Sequence, residues 1–216
     1  MSKTPGFKER LMRMYTALVN CLKEPLLSKF AVRGYTAERI NGILDIQQDV
    51  VRLDGIKDEA YKKQYLTTDT LTTLFDAVVE TYNKFRKLAQ VALKKDTTIL
   101  KALELIVKVK GSLSGFVAQA RLFYNAVVQD DELVAKLSKT GLTREEVAAE
   151  LPKLEQLEQL NVQQEYDKKA AQDATEKRDA RMEELEKEYA DLYKVGKVAL
   201  ADEQQYLEML DLNRKN

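Results

Sequence analysis

The sequence predicts an all-α fold, and three observations carry that expectation. Apolar residues recur at helical spacing through most of the chain. With 8 Gly and 3 Pro in 216 residues, the turn residues that a sandwich or barrel of short strands needs are too few. A hydrophobic share of 44% beside a charged share of 32% is the mixture of long amphipathic helices with an inward apolar stripe.

Self-similarity organises the chain. At an offset of 107, Tyr82, Phe85, Lys87, Ala89, Val91, Ala92 and Leu93 fall on Tyr189, Leu192, Lys194, Gly196, Val198, Ala199 and Leu200. Leu100, Leu103 and Leu105 fall on Leu207, Leu210 and Leu212, and Gly34, Thr36 and Glu38 fall on Gly141, Thr143 and Glu145. Before the glycines an offset of 109 sets Phe7, Tyr15, Ala17 and Val19 against Phe116, Tyr124, Ala126 and Val128, with the difference absorbed near Glu24-Pro25. The expectation is a tandem duplication of a helical unit of 107 residues, repeat 1 over 1–107 and repeat 2 over 108–216, packed as one pseudo-symmetric bundle.

In each copy an opening helix (7–22, 114–128) leads to a short one (25–32, 131–139). Gly34 and Gly141 suit the left-handed residue that ends a helix, and Thr36 and Thr143 suit the N-cap of the next. Thr143-Arg-Glu-Glu146 is a capping box, whereas copy one has Arg39 at the reciprocal position. In copy one, Leu53-Asp54-Gly55 followed by Leu66-Thr67-Thr68-Asp69 predicts a break and a fresh N-cap.

The late helices carry a heptad seam: Phe75, Val78, Tyr82, Phe85, Ala89, Ala92, and in the same steps Met182, Leu185, Tyr189, Leu192, Gly196, Ala199. Small residues at its end let a partner backbone approach. Between Lys153 and Val195 no Gly or Pro interrupts a run of helix formers with Glu165–Lys169 and Glu183–Lys187 spacings. One helix there, or two stacked nearly end to end, would span roughly 65 Å, so part of it is expected to project as a coiled-coil-like arm. Pro152 predicts a kink or restart. The link from Ile106 to Gly115 alternates like a strand but is too short and isolated to found a sheet, and it reads as a connector; Lys108 and Lys110 offer at most a small basic patch.

Most catalytic chemistry lacks its residues. With no histidine the chain has neither the usual neutral-pH base nor the commonest metal ligand, and the Glu-x-x-His pairs of a di-iron bundle cannot be built. Phosphate loops, dinucleotide fingerprints, nucleophile elbows and EF-hand loops are absent from the sequence. Glu183, Glu184 and Glu188 share a helical neighbourhood but read as a solvated face beside Arg181 and Lys187. Cys21, among Leu18, Val19 and Leu22, reads as a small buried hydrophobe. No catalytic, cofactor-binding or metal-binding residue is therefore assigned. Tyr82 and Tyr189 read as core residues of the seam, while Tyr61, Tyr65 and Tyr166 offer an exposed aromatic contact surface.

The 35 basic and 35 acidic residues balance, which disfavours nucleic acid. The charged N-terminal segment lacks a signal-peptide stretch and no apolar run is long enough to span a bilayer, so a cytoplasmic protein is expected. Gly115-Phe116 with Ala120-Arg-Leu-Phe-Tyr124, Arg178-Asp-Ala180, and Val198-Ala-Leu-Ala-Asp202 leading to Leu207-Glu-Met-Leu210 resemble an uncharacterised family of bacterial helical proteins, mostly over the second half. Asp211 stands where that family's pattern has Gly. The resemblance implies a bacterial origin and no assigned activity. The leading functional expectation is a non-enzymatic helical scaffold that binds a protein partner or its own copy, without a small-molecule ligand or cofactor. A membrane-surface or pore-forming helical protein is the alternative, and a metal- or small-molecule-dependent enzyme comes last.

Overall fold

A computed structural model describes residues 6–210. All regular structure among the described residues is helical: α1 Phe7–Cys21, α2 Leu26–Ala31, α3 Ala37–Ala92, α4 Thr97–Ala102, α5 Leu113–Gln129, α6 Asp131–Leu137, α7 Arg144–Ala148, α8 Leu151–Ala199 and α9 Gln204–Met209, with one 3-10 turn at Ser138–Thr140. The all-α expectation holds. Asp211 and Leu212 lie outside the described residues.

The punctuation between helices follows local chemistry. Gly34 and Gly141 adopt φ of 82° and 75°, where a Cβ would be strained, and Gly34 N–H donates to the Ala31 carbonyl at 3.0 Å to close α2. Thr36 Oγ1 accepts the Arg39 N–H at 3.4 Å. Thr143 forms the full capping box, accepting from Glu146 N–H at 3.2 Å while Glu146 Oε2 accepts from Thr143 N–H at 3.1 Å. Pro152 is the second residue of α8, where it displaces no intrahelical donor, so the chain restarts there.

α3 corrects one expectation: its 56 residues run through Gly55 and Thr67 without a break. The residues taken as stop and cap signals are engaged elsewhere. Asp54 carboxylate meets Lys57 Nζ at 2.7 Å, Thr67 hydroxyl donates to Asp167 at 2.7 Å, and Thr68 hydroxyl donates to its own helix at the Gln64 carbonyl at 2.9 Å. None of these three caps a new helix. Gly55 costs roughly 1 kcal/mol against Ala in a helix interior, a penalty that packing on either side outweighs.

α8 corrects a second. Its 49 residues form one helix, but no part of it projects free: Leu154, Leu157, Asp167, Ala171, Ala174, Met182, Leu185 and Leu192 are buried along its length. The chain's own helices cover the stripe that an arm would expose.

Two compact units result, Met1–Tyr61 with Ala170–Asn216 (unit 1) and Lys62–Lys169 (unit 2). They do not follow the boundary at 107/108. Each combines the opening helices of one expected copy with the closing segment of the other. In unit 2, Val78, Tyr82, Phe85, Ala89 and Leu93 of the late α3 pack with Phe116, Phe123, Tyr124 and Val127 of α5. In unit 1, Met182, Leu185 and Leu192 of the late α8 pack with Leu11, Leu18 and Cys21 of α1. Tyr82 is fully buried, and Tyr189 packs half-buried against the other core.

The buried residues of the opening helices line up at an offset other than the expected one. At an offset of 106 the buried Leu11, Ala17, Leu18 and Cys21 meet the buried Val117, Phe123, Tyr124 and Val127. The offset of 109 fails at its aromatic anchor, since Tyr15 is 42% exposed and Tyr124 is fully buried. The offset of 109 aligns conspicuous Phe and Tyr residues but not the stripe that touches the core.

Candidate interaction surface

A groove runs between α1 and the first part of α3 in unit 1. Lys8, Leu11, Met12 and Tyr15 form one face of α1 at helical spacing, and Gln47, Gln48, Val51, Asp54, Gly55 and Asp58 form the facing stripe of α3. The groove encloses about 620 Å³. Its centre is apolar and open: Met12 is 64% and Val51 52% exposed. Clustered exposure of that kind marks contact surfaces more than solvated ones. Asp54, at its edge, is buried and neutralised by Lys57 at 2.7 Å and Arg178 at 3.5 Å.

Unit 2 has a groove at the corresponding positions, smaller at about 330 Å³. Ser114, Val117, Ala118 and Arg121 of α5 stand where α1 has Lys8, Leu11, Met12 and Tyr15, each 106 residues on. Glu158, Asn161 and Val162 of α8 stand where α3 has Val51, Asp54 and Gly55, each 107 on. Here a bidentate ion pair spans the groove, Arg121 Nη1 and Nη2 reaching Glu158 oxygens at 3.0 and 2.7 Å. The hydrogen bond from Arg121 holds the Glu158 carboxyl below its ordinary range. Two charged side chains thus occupy the place of Tyr15 and Val51.

Comparison with known protein families, with curated proteins and with solved structures yields no match. The surface is therefore read from its own chemistry.

The most polar interior site lies in unit 2. Asp167, 1% exposed, accepts from Thr67 Oγ1 at 2.7 Å, Gln163 Nε2 at 2.8 Å and Lys63 Nζ at 2.9 Å. Burial pushes its carboxyl up, but the hydrogen bonds of Lys63, Thr67 and Gln163 outweigh that and hold it below the usual carboxylate range. A saturated carboxylate of this kind orders α3 against α8 rather than offering a free ligand. Deeper in the same unit the hydroxyls of Tyr82 and Tyr124 are buried without a hydrogen-bond partner. Desolvation, then the nearby Glu150 charge, push the Tyr124 phenol up.

The residues singled out from sequence fall apart spatially or into structural roles. Among the described residues no group of three His, Cys, Asp or Glu side chains is placed to hold a metal ion, and Glu183, Glu184 and Glu188 are not gathered into one. Cys21 is buried and its thiol is pushed up to about 12 by desolvation, beside a void of about 10 Å³, room for roughly one water. Tyr65 and Tyr166 are exposed, at 65% and 67%, and Lys63 Nζ lies 5.9 Å over the Tyr166 ring; Tyr61 is half-buried, at 3.4 Å from the Thr175 hydroxyl. Lys110 pairs with Glu104 at 2.9 Å, so the connector carries no free basic pair. Sequence reasoning missed the Met12, Tyr15 and Val51 surface, because Met12 and Val51 follow the same helical spacing as the buried stripe one step around each helix.

Proposed function

We propose that this chain is a non-enzymatic helical scaffold or interaction protein, acting through the open apolar groove of unit 1 on another protein chain or on its own copy. The observation that carries the reading is the contrast between equivalent positions. Tyr15 and Val51 stand exposed where Arg121 and Glu158 form an ion pair, so the helical plan itself does not require apolar residues there. Solvent exposure of Met12, Tyr15 and Val51 is unfavourable, at about 25 cal/mol per Å², and a protein partner relieves it. The missing histidines and the saturated interior carboxylate support a binding role over catalysis. No described helix is long and apolar enough to cross a membrane. A cytoplasmic setting belongs to the same proposal, in which the lone thiol of Cys21 stays reduced.

Cross-linking of the full chain in solution, together with affinity capture on immobilised chain, tests the reading. Self-association, or a discrete partner that the Y15R/V51E variant fails to retain, is expected. A chain that stays monomeric and retains nothing defeats it.

A further inference from the structure

The groove of unit 1 carries more than exposure, because its rim is charged in a pattern that complements itself. α1 runs antiparallel to the start of α3: Phe7, at the beginning of α1, lies under the Arg178 guanidinium at 4.5 Å, and Arg178 reaches Asp54 at 3.5 Å, while α2 and the Gly34 turn return the far end of α1 to Ala37. Lys8 and Asp58 therefore mark one end of the groove from opposite sides, and Tyr15 with Gln47 and Gln48 marks the other. Lys8 has no hydrogen bond or ion pair among the described residues. Asp58 is exposed and shares Lys57 with Asp54, which holds that lysine more closely, at 2.7 Å against 3.1 Å.

We propose that the occupant of this groove is a second copy of the same chain, turned about a two-fold axis that runs along the groove. This rests on the interaction-protein reading above and names its partner. Such a turn carries the α1 side of one copy onto the α3 side of the other at the same height. Lys8 then meets Asp58 of the second copy, and the reciprocal pair forms by symmetry. Met12 and Tyr15 cover Val51 of the second copy, and Tyr15 hydroxyl comes level with the exposed carboxamide of Gln48. A single-sign rim would repel its own copy; this one attracts it twice. The equivalent groove of unit 2 lacks both features, since Ser114 replaces Lys8 and the Arg121–Glu158 pair already spans its centre. Self-association is thus confined to one face, and a closed dimer is the product rather than an open chain of copies.

The full-length protein is followed by sedimentation across a concentration series, with circular dichroism confirming that each variant folds. Wild type is expected to pass from monomer to dimer. Y15R/V51E, which installs the chemistry that unit 2 already tolerates, is expected to weaken the dimer on the order of 100-fold or more. K8E and D58K each set two like-charge contacts across the axis and weaken it roughly tenfold. Mixing K8E with D58K is decisive, because only the mixed dimer opposes Glu to Lys and Lys to Asp in both places. Recovery of wild-type dimerisation in that mixture supports the proposal and excludes rearrangement within one chain. A wild type that remains monomeric at the highest concentration overturns it, and so does a dimer indifferent to Y15R/V51E. If the monomer nevertheless captures a different protein that Y15R/V51E does not, the self-pairing fails while the interaction reading stands.

Discussion

Unit 1 and unit 2 each pack short helices on part of α3 and part of α8, and the difference between their side chains separates what packing requires from what a surface adds. Unit 2 centres on an aromatic cluster: Tyr82 and Phe116 rings sit 5.5 Å apart at 86°, Phe75 and Phe116 5.3 Å apart at 79°, and Phe85 and Tyr124 6.3 Å apart at 67°. Edge-to-face pairs of this sort add about 0.5–1.5 kcal/mol beyond their buried area. Unit 1 buries mainly aliphatic side chains, Leu11, Leu18, Ile40, Ile43 and Leu185 among them, with Cys21, Phe30 and Tyr35. Both solutions bury a continuous stripe. What differs without a packing reason is the outer groove, closed by an ion pair in one unit and apolar in the other, and a feature that packing does not demand is the place to look for function.

The largest expected effect tests whether the stripe is equivalent at the corrected register. Tyr124→Ala removes a fully buried ring from the aromatic cluster and is expected to cost about 3 kcal/mol in chemical denaturation. Tyr15→Ala, its partner under the offset of 109, removes a side chain that is 42% exposed and is expected to cost less than about 1 kcal/mol. Equal costs would restore the register of 109 and unseat the comparison of grooves.

How much of this the sequence makes legible depends on which residues speak locally. Gly34, Gly141, Thr143 and Pro152 act through their own backbone geometry, and all four do in the structure what their chemistry dictates. The seam is legible because packing imposes its period: Val78, Tyr82, Phe85 and Ala89 are buried, as are Met182, Leu185 and Leu192. Asp54, Thr67 and Thr68 mislead, since a capping side chain looks like one that bonds across helices, as Asp54 and Thr67 do, or back to its own helix, as Thr68 does, until the partner is known. Asp167, Gln163 and Lys63 give no signal at all in a charged helix. The groove is hidden for a related reason: Val51 and Val50 are neighbours of the same type, and only the packing of the unit 1 core decides that Val50 is buried and Val51 is not.

A smaller effect separates the polar interiors of the units. Asp167→Ala takes the acceptor from the half-buried Thr67 hydroxyl and from the exposed Gln163 and Lys63, and is expected to cost about 1 kcal/mol near neutral pH. Because the folded carboxyl titrates below its unfolded value, its contribution is complete above the ordinary carboxylate range near pH 4 and is lost as pH falls through the folded value. The stability gap between wild type and variant should therefore narrow on acidification below about pH 4, and urea titrations across that range measure it. A gap independent of pH would mean that Asp167 acts through packing alone.

The smallest change in stability comes from making unit 2 resemble unit 1. Arg121→Tyr with Glu158→Val removes an ion pair whose side chains are 36% and 47% exposed, and pairs of that kind contribute about 0–1 kcal/mol. The fold should hardly register the exchange, and thermal denaturation should shift little. Association should register it strongly, because the chain would then carry two apolar grooves where it had one. Two contact faces on each copy allow growth past a dimer, so light scattering of R121Y/E158V should report species larger than the wild type forms at equal concentration. If the variant is destabilised by several kcal/mol instead, the Arg121–Glu158 pair is part of the helical plan. The open groove of unit 1 would then be a relaxed version of a structural contact, and the contrast between the units would say nothing about binding. If the variant is as stable as wild type yet no more associated, apolar exposure at this groove is not sufficient to recruit a chain, and the rim charges Lys8 and Asp58 must supply the selectivity.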